Sequence, residues 1–201
     1  MGAGTRSAAG GWSAPDLLAL VEAAWKSAYG EVQGRGSVDF VGVPPMQVLR
    51  FGPDGDGPVR YATLGMSRTP MTDPRAPVVD PLAGPRAELV LPLPVRRDSV
   101  LRALAALACA PAVDGLVLAP DATVDTGQPL WDGTQYTAVL IDPPELPDVA
   151  APPGIAPVRL LPVVPVTATE LAYRRIHGAA ALRELWGSAE GGGPPPLRPS
   201  R

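Results

Sequence analysis

The residues in this chain that could do chemistry are few: one histidine, one cysteine, and two carboxylates that flank a tryptophan in a polar stretch. His177 is the only histidine. It stands in the last turn of an expected helix, where an imidazole meets free backbone carbonyls, and no nucleophile beside it is visible for it to act on as a base. Cys109 is the only cysteine. It lies toward the end of an expected helix, whereas a reactive thiolate is favoured by an electropositive, partly exposed site such as a helix start. One histidine and one cysteine do not make a zinc site on their own. Asp125 and Asp132 fall in one polar segment, DATVDTGQPLWDG (Asp121 to Gly133). They are the candidate pair for general acid–base work. The same segment holds Gln128 and Trp131, and a tryptophan set among polar turn residues can anchor a protein partner. It can equally fold over the adjacent sheet as core.

Nothing else in the sequence points to a cofactor or a metal, and none is expected. Asp54-Gly55-Asp56-Gly57 opens like a calcium loop, but Pro58 and Val59 stand where the next ligand and glycine belong, so it reads as a hairpin turn. There is no Gly-rich phosphate loop, dinucleotide fingerprint or nucleophile elbow.

Composition narrows the class further. The chain has 201 residues, 46% apolar and 18% charged, with 27 prolines and 22 glycines. That suits one domain with a sizeable core and long turns between short elements. The formal net charge is −3, and the 17 basic residues, all arginine except Lys26, are scattered instead of forming a stripe. No nucleic-acid partner is expected. The N-terminal residues carry no signal-peptide pattern, Arg6 breaks the myristoylation pattern, and no apolar run reaches membrane-spanning length. The expectation is a cytoplasmic protein with no membrane contact; its oligomeric state is open.

The elements that must position the candidate residues can be read from periodicity. Val158 to Val164 is a short, nearly unbroken apolar run rich in β-branched residues, expected as a central strand buried on both faces. Thr167 and Glu170 then stand in the spacing of a capping box, so a helix starts near Ala168. Gly178 after His177 ends it, and Ala179, Leu182, Leu185 and Trp186 predict a second short helix. Earlier, Ser13 and Asp16 predict the start of a first helix, with Leu17, Val21, Ala24 and Ala28 on its inner face and Gly30 at its end. Val38 to Val41 is a candidate extended piece. Met46 to Phe51 and Val59 to Ser67 predict an antiparallel hairpin, and Glu88 to Leu93 alternates as a half-buried strand. Asp98 is expected to cap a helix that Pro111 ends. Leu116 to Leu118 is a candidate short strand, Tyr136 to Ile141 a further strand. Between Arg68 and Arg86 five prolines without a period predict a long loop, a candidate contact surface. The mixture predicts an α+β domain, a mixed and largely antiparallel sheet covered by helices. It spans 13–186, between a flexible N-terminus (1–12) and a disordered Pro/Gly-rich tail (187–201).

The strand, the Pro-Val-Thr turn, the Thr-x-x-Glu-Leu start and the ending through His177-Gly178 to Leu185-Trp186 resemble the close of the suppressor of fused (SUFU) domain. Arg60 to Ser67, Ala87 to Leu91, the Gly127-Gln128-Pro129 turn and Ala138 to Pro144 follow that family's order. The resemblance covers Ser13 to Trp186 and is to the single-domain bacterial form, since no chain remains for the second domain of animal relatives. It implies the same α+β fold and a non-enzymatic role in binding another protein. In animal relatives the region corresponding to Asp121 to Gly133 and its neighbouring strand help hold an extended peptide of a transcription factor by strand addition. Bacterial forms are often regarded as immunity proteins that block toxins. The expected partner is therefore a toxin domain or an extended peptide, met by Asp125, Gln128, Trp131 and Asp132. The competing reading is a small enzyme built on Asp125 and Asp132.

Overall fold

A strand that carries two prolines cannot be paired alike along its whole length, and the sheet is organised around that fact. In chain order the elements are α1 (Ala14–Tyr29), β1 (Gly34–Phe40), β2 (Val43–Phe51), β3 (Val59–Leu64), a single 3-10 turn (Met66–Arg68), β4 (Arg86–Leu93), α2 (Val100–Asp114), β5 (Thr123–Asp125), β6 (Tyr136–Ile141), β7 (Val158–Thr167) and α3 (Ala168–Ser188). The seven strands lie in the order β1-β2-β3-β4-β7-β6-β5. Among the described residues only β4 and β7 run parallel; every other pair is antiparallel. This computed structural model describes residues 14–53, 55–72 and 82–188. The expected N-terminal segment 1–12, Ser13 of the first capping box, Asp54, positions 73–81 of the proline-rich stretch and the expected tail from 189 lie outside the described residues.

In β7, Val158 to Pro162 pair with β4, and Val163 to Thr167 pair with β6. Ile141 N donates to Ala122 O, so alternation along the antiparallel ladder turns the backbone groups of Val139 toward β5 and those of Ala138 and Leu140 toward β7. Pro165, opposite Val139, therefore has its nitrogen on the side away from β6, where β4 has already parted. Pro162 accepts a hydrogen bond from Asp142 N at 2.8 Å, and its nitrogen lies on that same side, beyond the end of β6. Both prolines sit where the ladder changes hands, which is how a central strand tolerates residues without an N–H.

Alternation sorts the side chains into two faces. One face, covered by α2, gathers Met46, Val48, Tyr61, Leu89, Leu91, Val139, Ile141, Leu161 and Val163. The other is covered by two helices. Leu17, Val21 and Trp25, at helical spacing on α1, pack on Leu49, Phe51, Ala62, Leu64 and Val90. Leu171, Ala179, Leu182 and Trp186 of α3 pack on Ala138, Leu140, Val164 and Val166. The expected ends hold: Gly30, at φ 81°, closes α1, and its N–H bonds to Lys26 O at 2.9 Å. Thr167 and Glu170 form the capping box, with Thr167 N donating to Glu170 Oε2 at 2.9 Å and Glu170 N to Thr167 Oγ1 at 3.2 Å. Gly178, at φ 87° and ψ 170°, breaks α3 into two helical halves as its place in the sequence predicts. Among the described residues, no helix is long and apolar enough to cross a membrane.

The fold differs from expectation at several points. The first strand runs over Gly34–Phe40, longer than Val38 to Val41, because its two glycines accommodate Arg50 and Leu101 lying against the backbone. β3 stops at Leu64, and Met66–Arg68 forms the 3-10 turn. β4 is buried on both faces from Arg86 to Leu91, not half-buried, since the 3-10 turn packs on its second face and Val90 there joins the core under α1. Pro111 lies inside α2, removing only the bond to Leu107 O in the last turn; the helix closes at Gly115, whose φ is 67°. Asp98 makes no side-chain cap; its carboxylate is held by two arginines instead. Leu116 to Leu118 forms no strand, and the short strand in this region is β5.

Candidate functional site

β5 is three residues long and forms one edge of the sheet. Its even-numbered neighbours Ala122 and Thr126 bond toward β6, through Ile141 N to Ala122 O at 2.8 Å and Thr126 N to Thr137 O at 2.9 Å. By alternation, Thr123 and Asp125 direct their backbone N–H and C=O groups outward. Those groups have no protein partner among the described residues. An unpaired edge of this kind is a template for strand addition.

The loop after β5 holds the edge in place. Gly127 is in the left-handed region at φ 65°, and its N–H donates to Asp125 Oδ1 at 3.0 Å. Thr126 Oγ1 lies 2.8 Å from Gln128 O and 2.7 Å from Thr137 O. Leu130 is buried and donates its N–H to Tyr136 O at 2.9 Å. Trp131 is half-buried beside the α2-face core, its ring 5.5 Å from that of Tyr136. It therefore packs on the sheet and still leaves part of its surface open next to the edge. Asp132 is exposed, and its backbone N–H donates to Ser99 Oγ at 3.2 Å.

The sequence-derived residues are thus neighbours in the chain that face different ways. Asp125 turns to the α3 face, where Arg175 Nη2 lies 3.9 Å from its Oδ2. Asp132 is tied through its backbone to the start of α2 on the other face. Gln128 is exposed at the turn between them. Sequence reasoning missed the arginines that α3 lays over β5. Arg174 Nη2 donates to Asp121 O, and Arg183 bonds to both Asp121 Oδ1 and Asp142 Oδ1 at 2.7 Å. Their spacing on the outer side of α3 was the available signal, but the carboxylates they meet come from distant parts of the chain.

A second polar cluster lies just before the start of α2, next to Ser99. Arg50 Nη1 donates to both oxygens of Asp98, at 3.0 and 2.9 Å, Arg96 Nε to Oδ2 at 2.7 Å, and Tyr61 Oη to Oδ1 at 3.1 Å. Arg96 first, then Arg50 and Tyr61, outweigh partial burial and hold the Asp98 carboxyl down from its ordinary 3.8 to about 2. A folded pKa below the unfolded one gives stability that is present above about pH 4 and lost as pH falls through about 2. The full shift corresponds to about 2.5 kcal/mol. Asp98 is 36% exposed, so solvent screening leaves about 1 kcal/mol. Asp98→Asn is expected to lower stability by that amount at pH 6 and to match the wild type near pH 2, read from urea midpoints at both pH values.

The remaining sequence candidates are plain. His177 is exposed, its ring 4.3 Å from that of Tyr173 on the preceding turn. Cys109 is buried, and burial pushes its thiol pKa up. Among the described residues, no three His, Cys, Asp or Glu side chains cluster as metal ligands would.

The profile of the suppressor of fused protein (SUFU) family matches residues 42–201. Among solved structures, a suppressor of fused homologue from Neisseria gonorrhoeae superposes with a TM-score of 0.62 at 17% identity, covering 86% of this chain and 89% of that one. The structure of the Sufu–Fu complex gives 0.60 at 11% identity, over 88% of this chain and 84% of the other. Drosophila Suppressor of Fused gives 0.58 at 10% identity, over 86% of this chain but 46% of the fly chain. No curated protein matches by sequence. At these identities the superpositions establish a shared α+β fold, and the profile, which spans most of the sheet and both later helices, settles the kinship. The chain belongs to the suppressor of fused family.

Proposed function

We propose that this domain is a non-enzymatic protein-binding module that takes an extended segment of its partner alongside β5, with Trp131 as the anchor beside that segment. The observation that carries the reading is the outward-facing, unpaired backbone of Thr123 and Asp125 next to a half-buried tryptophan. Strand addition supplies affinity through main-chain bonds, and an aromatic anchor supplies much of the rest. The Sufu–Fu complex, in which a relative is assembled with Fu, supports binding as the family's mode of action.

The partner is a toxin domain, and the module acts as an immunity protein by covering its working surface. The exposed carboxylates Asp125 and Asp132 beside the edge, with a net charge of −3, suit a basic partner. A regulatory adaptor holding an extended peptide would use the same edge. The acid–base reading has less support, because Asp125 and Asp132 are tied to opposite faces.

Two variants test the site by different means. Trp131→Ala removes the anchor and is expected to weaken the partner about thirtyfold, on the order of 2 kcal/mol. Thr123→Pro removes an outward N–H while leaving the bonds between β5 and β6. A pull-down from native lysate that loses one stoichiometric partner with both variants, followed by growth rescue from that partner's toxicity on co-expression, supports the proposal. Equal retention by wild type and both variants counts against this edge. Retention of a partner with no toxicity favours the adaptor.

A further inference from the structure

We infer that the opposite edge of the sheet is a second docking site, which takes an extended segment of a partner protein and seats one of its acidic side chains among arginines. This site is separate from the β5 edge and does not depend on the reading given for it.

Among the described residues, β1 pairs with β2 on one side and has no strand on the other. The side chains it turns toward α2 include two glycines, Gly34 and Gly36, and the space they leave is occupied from elsewhere. A Cβ at Gly34 would come within 3.0 Å of the Arg50 guanidinium, and one at Gly36 within 3.2 Å of Leu101 Cδ1. Arg50 belongs to the second strand, yet its guanidinium lies across the backbone of the edge strand. Around it is a cavity of about 240 Å3, whose lining includes Gly34, Gly36, Leu101, the guanidinium groups of Arg50 and Arg96 and the carboxylate of Asp98. That is smaller than the 300–1,000 Å3 usual for small-molecule sites, and it suits the end of one side chain.

The charge in the cavity is unbalanced. Arg50 and Arg96 share a single carboxylate, Asp98, while Arg35 beside them is offset by Glu22 at 2.7 Å. Arg96 is 62% exposed, and its Nη1 has no hydrogen-bond partner among the described residues. One net positive charge and free guanidinium N–H groups therefore face the edge. A strand added to β1 would lie about 4.8 Å away and turn alternate side chains to the α2 face. Beside Gly34 and Gly36 no Cβ stands in the way, so a glutamate there reaches over the glycine to Arg50 and Arg96. Charge-assisted bonds between guanidinium and carboxylate are the strong ones, which is why the segment must be acidic at that position.

The test is an NMR titration of the labelled full chain with three eight-residue peptides of alternating threonine and valine, acetylated and amidated, that carry Glu, Gln or Lys at one central position. The expected result is a shift of the Gly34–Val38 amides, about tenfold tighter binding of the Glu peptide than of the Gln peptide, and loss of that difference in 0.5 M salt. Arg96→Ala is expected to remove most of the preference and Arg96→Glu to transfer it to the Lys peptide, each with unchanged amide dispersion away from β1. Equal affinity for the Glu and Gln peptides overturns the inference. So does a shift confined to Thr123–Asp125. Glutarate alone shifting the β1 amides at the same concentration would show an anion pocket without strand addition, and would overturn the docking of a segment.

Discussion

Glu88→Ala is expected to lower stability by about 4 kcal/mol, the cost of orphaning buried donors where β3 gives way to the 3-10 turn. Glu88 lies in the middle of β4 and is 0% exposed. Its Oε1 accepts from Gly65 N at 2.8 Å, Ser67 N at 3.0 Å and Ser67 Oγ at 2.7 Å, and its Oε2 accepts from Thr63 Oγ1 at 2.6 Å. Thr63 Oγ1 in turn accepts from Leu89 N at 2.8 Å, and Thr63 O accepts from Trp25 Nε1 at 3.1 Å, which extends the network to α1. One side chain thus ends β3, forms the 3-10 turn and seats the first helix. The start of β4 is pinned to the same place, because Arg86 Nη1 donates to Ser67 O and Arg68 O at 2.8 and 2.9 Å. Glu88→Gln keeps an acceptor for the three donors on Oε1 and disturbs only the bond to Thr63, so its loss should be about 1–2 kcal/mol. Guanidinium unfolding of both variants, read by tryptophan fluorescence, measures the difference. Equal losses for Ala and Gln would mean that the carboxyl is not the organiser of this turn.

That network shows where sequence reading stops. Alternation from Leu89 to Leu93 is correct, and it places Glu88 on the second face of the strand. The expectation that this face meets solvent fails because α1, far earlier in the chain, lies across it. Val90 on the same face as Glu88 was the available sign that the face is covered. The capping box at Thr167 and the break at Gly178 were legible because each depends on neighbours within a few residues. β5 was not: three residues of ordinary polarity become a strand only because β6 offers them a ladder. For the same reason the site was half legible. Trp131 and its loop stand out by residue type, whereas the arginines over β5 and the paired arginines at Asp98 depend on which elements the sheet order brings together.

Trp186→Ala is expected to cost about 4 kcal/mol and to free the second half of α3 while the sheet stays folded. Trp186 is buried against Ala138, Leu140, Val164 and Val166, and its Nε1 donates to Glu170 Oε1 at 2.9 Å. Glu170 uses its other oxygen for the capping box, so the two ends of α3 are linked through one carboxylate. Beyond Gly178 only Ala179, Leu182 and Trp186 are buried, and removing the largest of them leaves too little to offset the ordering of ten residues. Before Gly178, Leu171 and the capping box keep the first half in place. The consequence reaches the binding edge through Arg183, which sits in the freed half and bonds to Asp121, just before β5, and to Asp142, just after β6. Hydrogen exchange should therefore accelerate over 179–188 and, to a lesser degree, at Val124, with β2 and β3 unchanged. Partner binding should weaken several-fold although Trp186 is remote from Trp131. Trp186→Phe, which keeps most of the packing and loses the bond to Glu170, should leave exchange at Val124 near wild type. If Val124 exchanges alike in all three proteins, α3 does not support the β5 edge, and the strand must owe its order to β6 alone.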